Sequence, residues 1–181
     1  MLNIYQIATN SRIYGPDLRT VIWFQGCSIQ CKGCINPHLW SFDDRRLMTI
    51  DEVKKAVVNN HVTFLGGEPL DQPEILELIK ELVGNDIGII LFTGYSYKKL
   101  AGEKLECANL CDVVISEPFE LKHMNPRLYL RGSENQIIRI NSNRYQFSDF
   151  DKVESVEVII GNSVEIHGRT TEDFVWNLLN N

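Results

Sequence analysis

At 181 residues, with 44% hydrophobic and 23% charged side chains, the chain has the composition of a folded globular protein of about one domain, short for a complete eight-stranded barrel with its helices. A formal net charge of -6 argues against broad nucleic-acid binding, which needs a basic face to neutralise phosphates. No apolar run reaches the length of a membrane span, and MLNIYQIATNSR lacks the charged start and apolar core of a secretory signal, so a cytoplasmic location is expected.

Thr20 to Gln25 is a short β-branched and aromatic run, read as a buried strand that feeds directly into a cysteine-rich loop. Thr49, with Glu52 three residues on, opens a helix carrying Val53, Ala56 and Val57 on one face. His61 to Leu65 is the next strand and runs into Gly66-Gly67-Glu68-Pro69. Asp71 and Glu74 then introduce a helix whose apolar face holds Ile75, Leu78, Ile79 and Leu82, ending at Gly84.

Gly88 to Phe92 is a third strand, closed by Thr93-Gly94-Tyr95, and Ser96 opens a helix to about Leu110. Asp112 to Ile115 is a fourth strand before Ser116-Glu117-Pro118-Phe119, and Gln136 to Ile140 reads as a fifth. Val156 to Ile160 and Val164 to His167, joined across Gly161-Asn162-Ser163, signal a hairpin, and Thr171 caps a short terminal helix. No repeat or linker divides the chain. Residues 1–181 are therefore expected as one unit, with a core of about 13–140 and a C-terminal appendage of about 141–181.

Strands alternating with helices at this spacing imply right-handed crossovers and a parallel sheet, whose ligands bind beyond the carboxyl ends of the strands. The cysteine loop, GGEP, TGY and SEPF all follow strands, so all four are expected to converge on one edge. Within the loop Val21–Trp40, Cys27, Cys31 and Cys34 stand in a C-x3-C-x2-C spacing. Such thiols can wrap an iron–sulfur cluster with one iron left free for chemistry; a zinc site completed by His38, or plain buried thiols, are the alternatives. Cys107 and Cys111 have no third ligand nearby and read as core thiols.

The segment GPDLRTVIWFQGCSIQCKGCINPHLW, followed by FLGGEPL, Thr93-Gly94-Tyr95 and Arg131-Gly132-Ser133-Glu134-Asn135-Gln136, resembles the radical S-adenosylmethionine (SAM) superfamily, and within it the activating proteins of glycyl radical enzymes. The resemblance covers roughly Ile13 to Ile140. It implies an α/β fold: an incomplete (β/α) barrel of about five or six mainly parallel strands, with the C-terminal β-hairpin and helix appended. It also implies that Cys27, Cys31 and Cys34 ligate a [4Fe-4S] cluster, which sets His38 aside, and that SAM chelates the remaining iron.

Gly66, Gly67 and Glu68 match the motif that holds the SAM amino group, with Thr93 at the next strand end. Ser116-Glu117 stand where related activases commonly carry an Asp-Gly pair at the SAM end of the site, and Gly15-Pro16-Asp17 stand where many read Gly-Pro-Gly. The implied reaction is reductive cleavage of SAM to methionine and a 5′-deoxyadenosyl radical, which takes a hydrogen atom from a glycine of a partner protein. The implied partners are a glycyl radical enzyme, anaerobic ribonucleotide reductase first, and an electron donor such as flavodoxin, with no nucleic acid and no membrane. A radical SAM enzyme acting on a small molecule or peptide, and a zinc-stabilised binding module, are the competing readings.

Overall fold

The computed structural model describes residues 1–151, 156–160 and 164–168. Seven strands form one open sheet: β1 (Leu2–Ser11), β2 (Arg19–Phe24), β3 (Leu47–Met48), β4 (His61–Gly66), β5 (Gly88–Phe92), β6 (Val113–Ser116) and β7 (Ile137–Ile140), in the order β3-β1-β2-β4-β5-β6-β7. The pairs β2–β4, β4–β5 and β5–β6 are parallel, as the alternation of strands and helices dictates. The crossovers carry α1 (Ile50–Ala56), α2 (Ile75–Gly84) and α3 (Gly102–Leu110), and α2 packs against both its neighbours.

This is a mixed sheet rather than the expected five or six mainly parallel strands. Four strands run parallel, while β1, β3 and β7 pair antiparallel. The segment expected as a fifth parallel strand is β7, and it runs backwards for a physical reason. Between Ser116 and Ile137 the described chain holds only the single-turn helix Leu121–His123, so nothing carries it back across the sheet. The sequence reading missed β1 because its alternation is interrupted, with register shifts between Ile4 and Gln6 and between Ala8 and Ser11.

Helix boundaries follow local chemistry. Thr49 and Glu52 make a reciprocal capping box on α1, Glu52 N–H donating to Thr49 Oγ1 at 3.3 Å and Thr49 N–H to Glu52 Oε2 at 2.8 Å. Asp71 does not cap α2; it ends the single-turn helix Pro69–Asp71, and the N-cap of α2 is Glu74. The helix expected from Ser96 is likewise divided into a single turn, Tyr97–Lys99, and α3. The hairpin forms as β8 (Glu157–Ile160) and β9 (Val164–His167), paired antiparallel. The helix expected from Thr171 lies outside the described residues.

Period-two alternation sorts the sheet into two faces. Ile22, Phe24, Val62, Phe64, Ile89, Leu91 and Val114 pack against Val53, Leu78, Ile79 and Ala108 of the helices. On the opposite face, Ile90, Val113 and Ile115 meet Tyr129, Tyr145 and Phe150. At the amino ends of the parallel strands lies Arg19, fully buried. Its guanidinium donates to Pro16 O at 2.6 Å, Thr63 Oγ1 at 2.7 Å, Val62 O at 2.9 Å and Tyr145 OH at 3.1 Å. Tyr145 thus ties the segment after β7 to the end of the sheet remote from the strand-end loops.

Candidate active site

The loops after β2, β4 and β5 converge, with residues of the 117–136 segment, on a cavity of about 290 Å³. Its floor is Leu65, Phe92 and Ile115, last or nearly last in their strands and all on the sheet face opposite the helices. Cys27, Cys31 and Cys34 form one wall, Gly66, Gly67, Glu68 and Thr93 the next, and Phe119, Arg131 and Gln136 the far side.

All three cysteines are free and partly exposed. Backbone amides are placed for thiolate acceptors: Asn36 N–H donates to Cys34 Sγ at 3.4 Å, Ile29 and Gln30 serve Cys27, and Phe119 serves Cys31. Burial nevertheless pushes the Cys27 and Cys31 thiols up.

The buried indole N–H of Trp40, another lining residue, has no acceptor among the described residues, as suits a donor set against a bound group. Among the described residues no three His, Cys, Asp or Glu side chains meet at a point for a single ion. His38 packs its ring 5.2 Å from that of Tyr5 and lines a separate depression. Three soft, separated thiols around a shared cavity fit a cluster, whose corners take ligands several ångströms apart.

The two glycines at the end of β4 are there for steric reasons. Gly66 has φ 113°, and a Cβ on it would lie 2.5 Å from Phe24 N. A Cβ on Gly67 would lie 2.1 Å from Gly26 O, so the cysteine loop and the GGEP loop touch backbone to backbone. They are also hydrogen-bonded, Gly67 N–H to Phe24 O and Glu68 N–H to Gly26 O, both at 2.8 Å.

The side chain of Glu68 is 1% exposed and is not free to reach a ligand on its own. Oε1 accepts from Leu70 N–H at 3.0 Å and Thr93 Oγ1 at 2.9 Å, and Oε2 from Gly94 N–H at 2.8 Å. The carboxylate thereby joins the loop after β4 to that after β5. Burial pushes its pKa up to about 7, against the three donors, which favour the anion.

Ser116 and Glu117 are not among the lining residues. Ser116 shares the face of Val114, toward the helices. Glu117 has φ 82°, a left-handed conformation that favours glycine; its N–H donates to Tyr95 O and its Oε1 accepts from Tyr97 N–H, both at 3.1 Å. Leu65 lines the cavity. Phe24 is core, edge-on to Phe64, and Trp23 packs edge-on to Tyr14.

Asp71 was missed as a site residue. Its Oδ2 accepts Ser28 N–H at 2.9 Å, and its Oδ1 accepts Tyr95 OH at 2.6 Å and Lys104 Nζ at 2.7 Å. Burial alone would raise its carboxyl, but Lys104, Tyr95 and Ser28 hold it below the usual range. In sequence it looked like a helix cap, and its partners lie too far along the chain to signal otherwise.

The profile of the family described as "4Fe-4S single cluster domain" matches residues 13–139. The chain belongs to this family, among the radical SAM activating proteins. It is 30% identical over 142 residues to the "Anaerobic ribonucleoside-triphosphate reductase-activating protein" of Enterobacteria phage T4, covering 72% of this chain and 88% of the relative. It is 32% identical over 136 residues to the "Pyruvate formate-lyase-activating enzyme" of Clostridium pasteurianum, covering 69% of this chain and 54% of that one. Among solved structures, QueE from Escherichia coli superposes with a TM-score of 0.47 at 14% identity, over 67% of this chain and 73% of QueE.

Proposed function

We propose that the protein is a radical SAM activase that installs a glycyl radical on a partner enzyme, anaerobic ribonucleoside-triphosphate reductase in the first instance. The observation that carries this reading is the direct backbone contact between the cysteine loop and the Gly66-Gly67 turn, which sets three thiols and a bared stretch of backbone on one cavity. Cys27, Cys31 and Cys34 would hold a [4Fe-4S] cluster, and Gly66 and Gly67 with the backbone of Glu68 would receive the amino-acid end of SAM. When bound, that pair would supply the reductive cleavage of SAM.

The chain's own residues position and exclude water. Leu65, Phe92 and Ile115 give the nucleoside an apolar floor. Thr93 contributes through its hydroxyl on Glu68, and Glu117, after Ser116 at the end of β6, contributes through its bonds to Tyr95 and Tyr97. The open sheet is read as an incomplete barrel whose missing side admits a protein loop, with residues 1–181 acting as one unit in the cytoplasm and a flavodoxin-type donor supplying electrons. Among the described residues no helix is long and apolar enough to cross a membrane.

Anaerobic reconstitution with SAM and dithionite tests the proposal. Wild type should form 5′-deoxyadenosine, Cys27→Ala, Cys31→Ala and Cys34→Ala should not, and Cys107→Ala should. Cleavage retained by any loop variant refutes the ligand set. A glycyl radical EPR signal on adding the reductase identifies the partner; cleavage without that signal for any glycyl radical protein favours a small-molecule or peptide substrate.

A further inference from the structure

Ser28 is an exposed residue next to Cys27, yet it is tied to the interior from two directions. Its N–H reaches the Asp71 carboxylate, which is 8% exposed, and its Oγ lies 3.0 Å from Tyr95 OH. Tyr95 follows β5 and Lys104 belongs to α3, so the tie runs from the cysteine loop into the helix layer. Lys104 Nζ also sits 3.8 Å from the Tyr95 ring centroid, which fixes the ammonium over the group it shares with Asp71.

We propose that Asp71, Tyr95 and Lys104 form a charge-balanced brace that positions Ser28 beside Cys27 and sets how readily a cluster held by this loop accepts an electron. The proposal rests on the cluster reading given above. Reduction would add one electron, supplied by the external donor, to a cluster held at Cys27, the neighbour of the residue whose N–H the Asp71 carboxylate accepts. A carboxylate close by opposes that step and an ammonium assists it. With Lys104 bonded to Asp71 the two nearly cancel, and the loop keeps a strong acceptor for Ser28 N–H without an excess negative charge. Structural damage has no reason to reproduce the signs that follow from this arrangement.

Wild type, Asp71→Asn, Lys104→Met and the double variant are reconstituted anaerobically, assayed for iron and sulfide, and poised with redox mediators while EPR follows the reduced cluster. Asp71→Asn leaves Lys104 unopposed and should raise the ratio of reduced to oxidised cluster at a fixed potential by about threefold to tenfold. Lys104→Met leaves Asp71 bare and should lower it by a similar factor, and the double variant should return to within about twofold of wild type. A tenfold change corresponds to about 59 mV for a one-electron couple. In metal-free protein, Tyr95→Phe should speed alkylation of Cys27 by loosening the loop.

Single variants that shift the ratio in the same direction, or not at all, overturn the electronic role; an unchanged alkylation rate in Tyr95→Phe overturns the positioning role. A folded wild type that takes up no iron and sulfide overturns the functional reading and the electronic role with it, while the alkylation result still judges the positioning.

Discussion

Replacing Gly67 by Ala tests the contact on which the site is built. The added Cβ would start 2.1 Å from Gly26 O and 2.8 Å from Gly26 C, both backbone atoms that no rotamer change can move. An ordinary carbon–oxygen approach is about 3.3–3.6 Å, so the two loops must separate by about 1 Å. That separation breaks the 2.8 Å bond from Glu68 N–H to Gly26 O, worth about 1 kcal/mol net, and adds overpacking of about 1–3 kcal/mol. The expected loss is about 2–4 kcal/mol, a fall in Tm of about 5–15 °C for a chain of this size. Gly84→Ala is the control: its Cβ would meet nothing within 4 Å, and on α2 it should stabilise by about 0.5–1 kcal/mol. Calorimetry of metal-free protein reads both. A Tm for Gly67→Ala within about 2 °C of wild type would refute the backbone contact.

Glu68 gives the stability a pH dependence. Its folded pKa of about 7 lies above the ordinary 4.5, so the native state binds the proton more tightly than the unfolded chain does. The contribution is complete below about pH 4.5 and is lost as the pH rises through about 7, a span of about 3 kcal/mol that Glu68→Gln should remove from urea titrations of metal-free protein. A variant whose curve still parallels wild type between those pH values would assign the slope elsewhere. At position 117, with φ 82°, Glu117→Gly should be more stable than Glu117→Ala by about 1 kcal/mol, because only glycine relaxes there; equal unfolding midpoints would contradict the strain. Cys107 and Cys111 are both 1% exposed; burial pushes Cys107 up to about 11 and raises Cys111 well above the ordinary range. Iodoacetamide at pH 8 should therefore label only three thiols of the native, metal-free protein, and a mass spectrum with four or five adducts would show the core to be open.

The parallel core was legible because each of β2, β4, β5 and β6 is a compact apolar run followed by turn residues, and because Thr49 with Glu52 announces α1 outright. The cysteine loop and GGEP were legible for the same reason: both sit at strand ends, and strand ends converge. What escaped notice depends on interruptions and on distance. The bulges of β1 hid its period, and the direction of β7 depended on what the intervening segment lacked. Asp71 resembled a cap because its neighbours in sequence allow that role, whereas Ser28, Tyr95 and Lys104 become its neighbours only in the folded chain. Glu117 likewise looked like an acid for the pocket, and only its backbone angle and its bond to Tyr97 place it outside.

The backbone contact between Gly26 and Gly67 also has a mechanical consequence. Two loops bonded and in contact at that point cannot be displaced independently, so the thiol wall and the turn after β4 act as one fixed jaw. The opposite wall is cross-braced within its own segment by backbone and side chain together: Glu134 N–H donates to His123 O at 2.9 Å, Asn135 Nδ2 to Pro118 O at 2.8 Å and Gln136 Nε2 to Glu117 O at 3.2 Å. A push on the thiol wall is therefore carried straight to the turn after β4, and the two keep their spacing together.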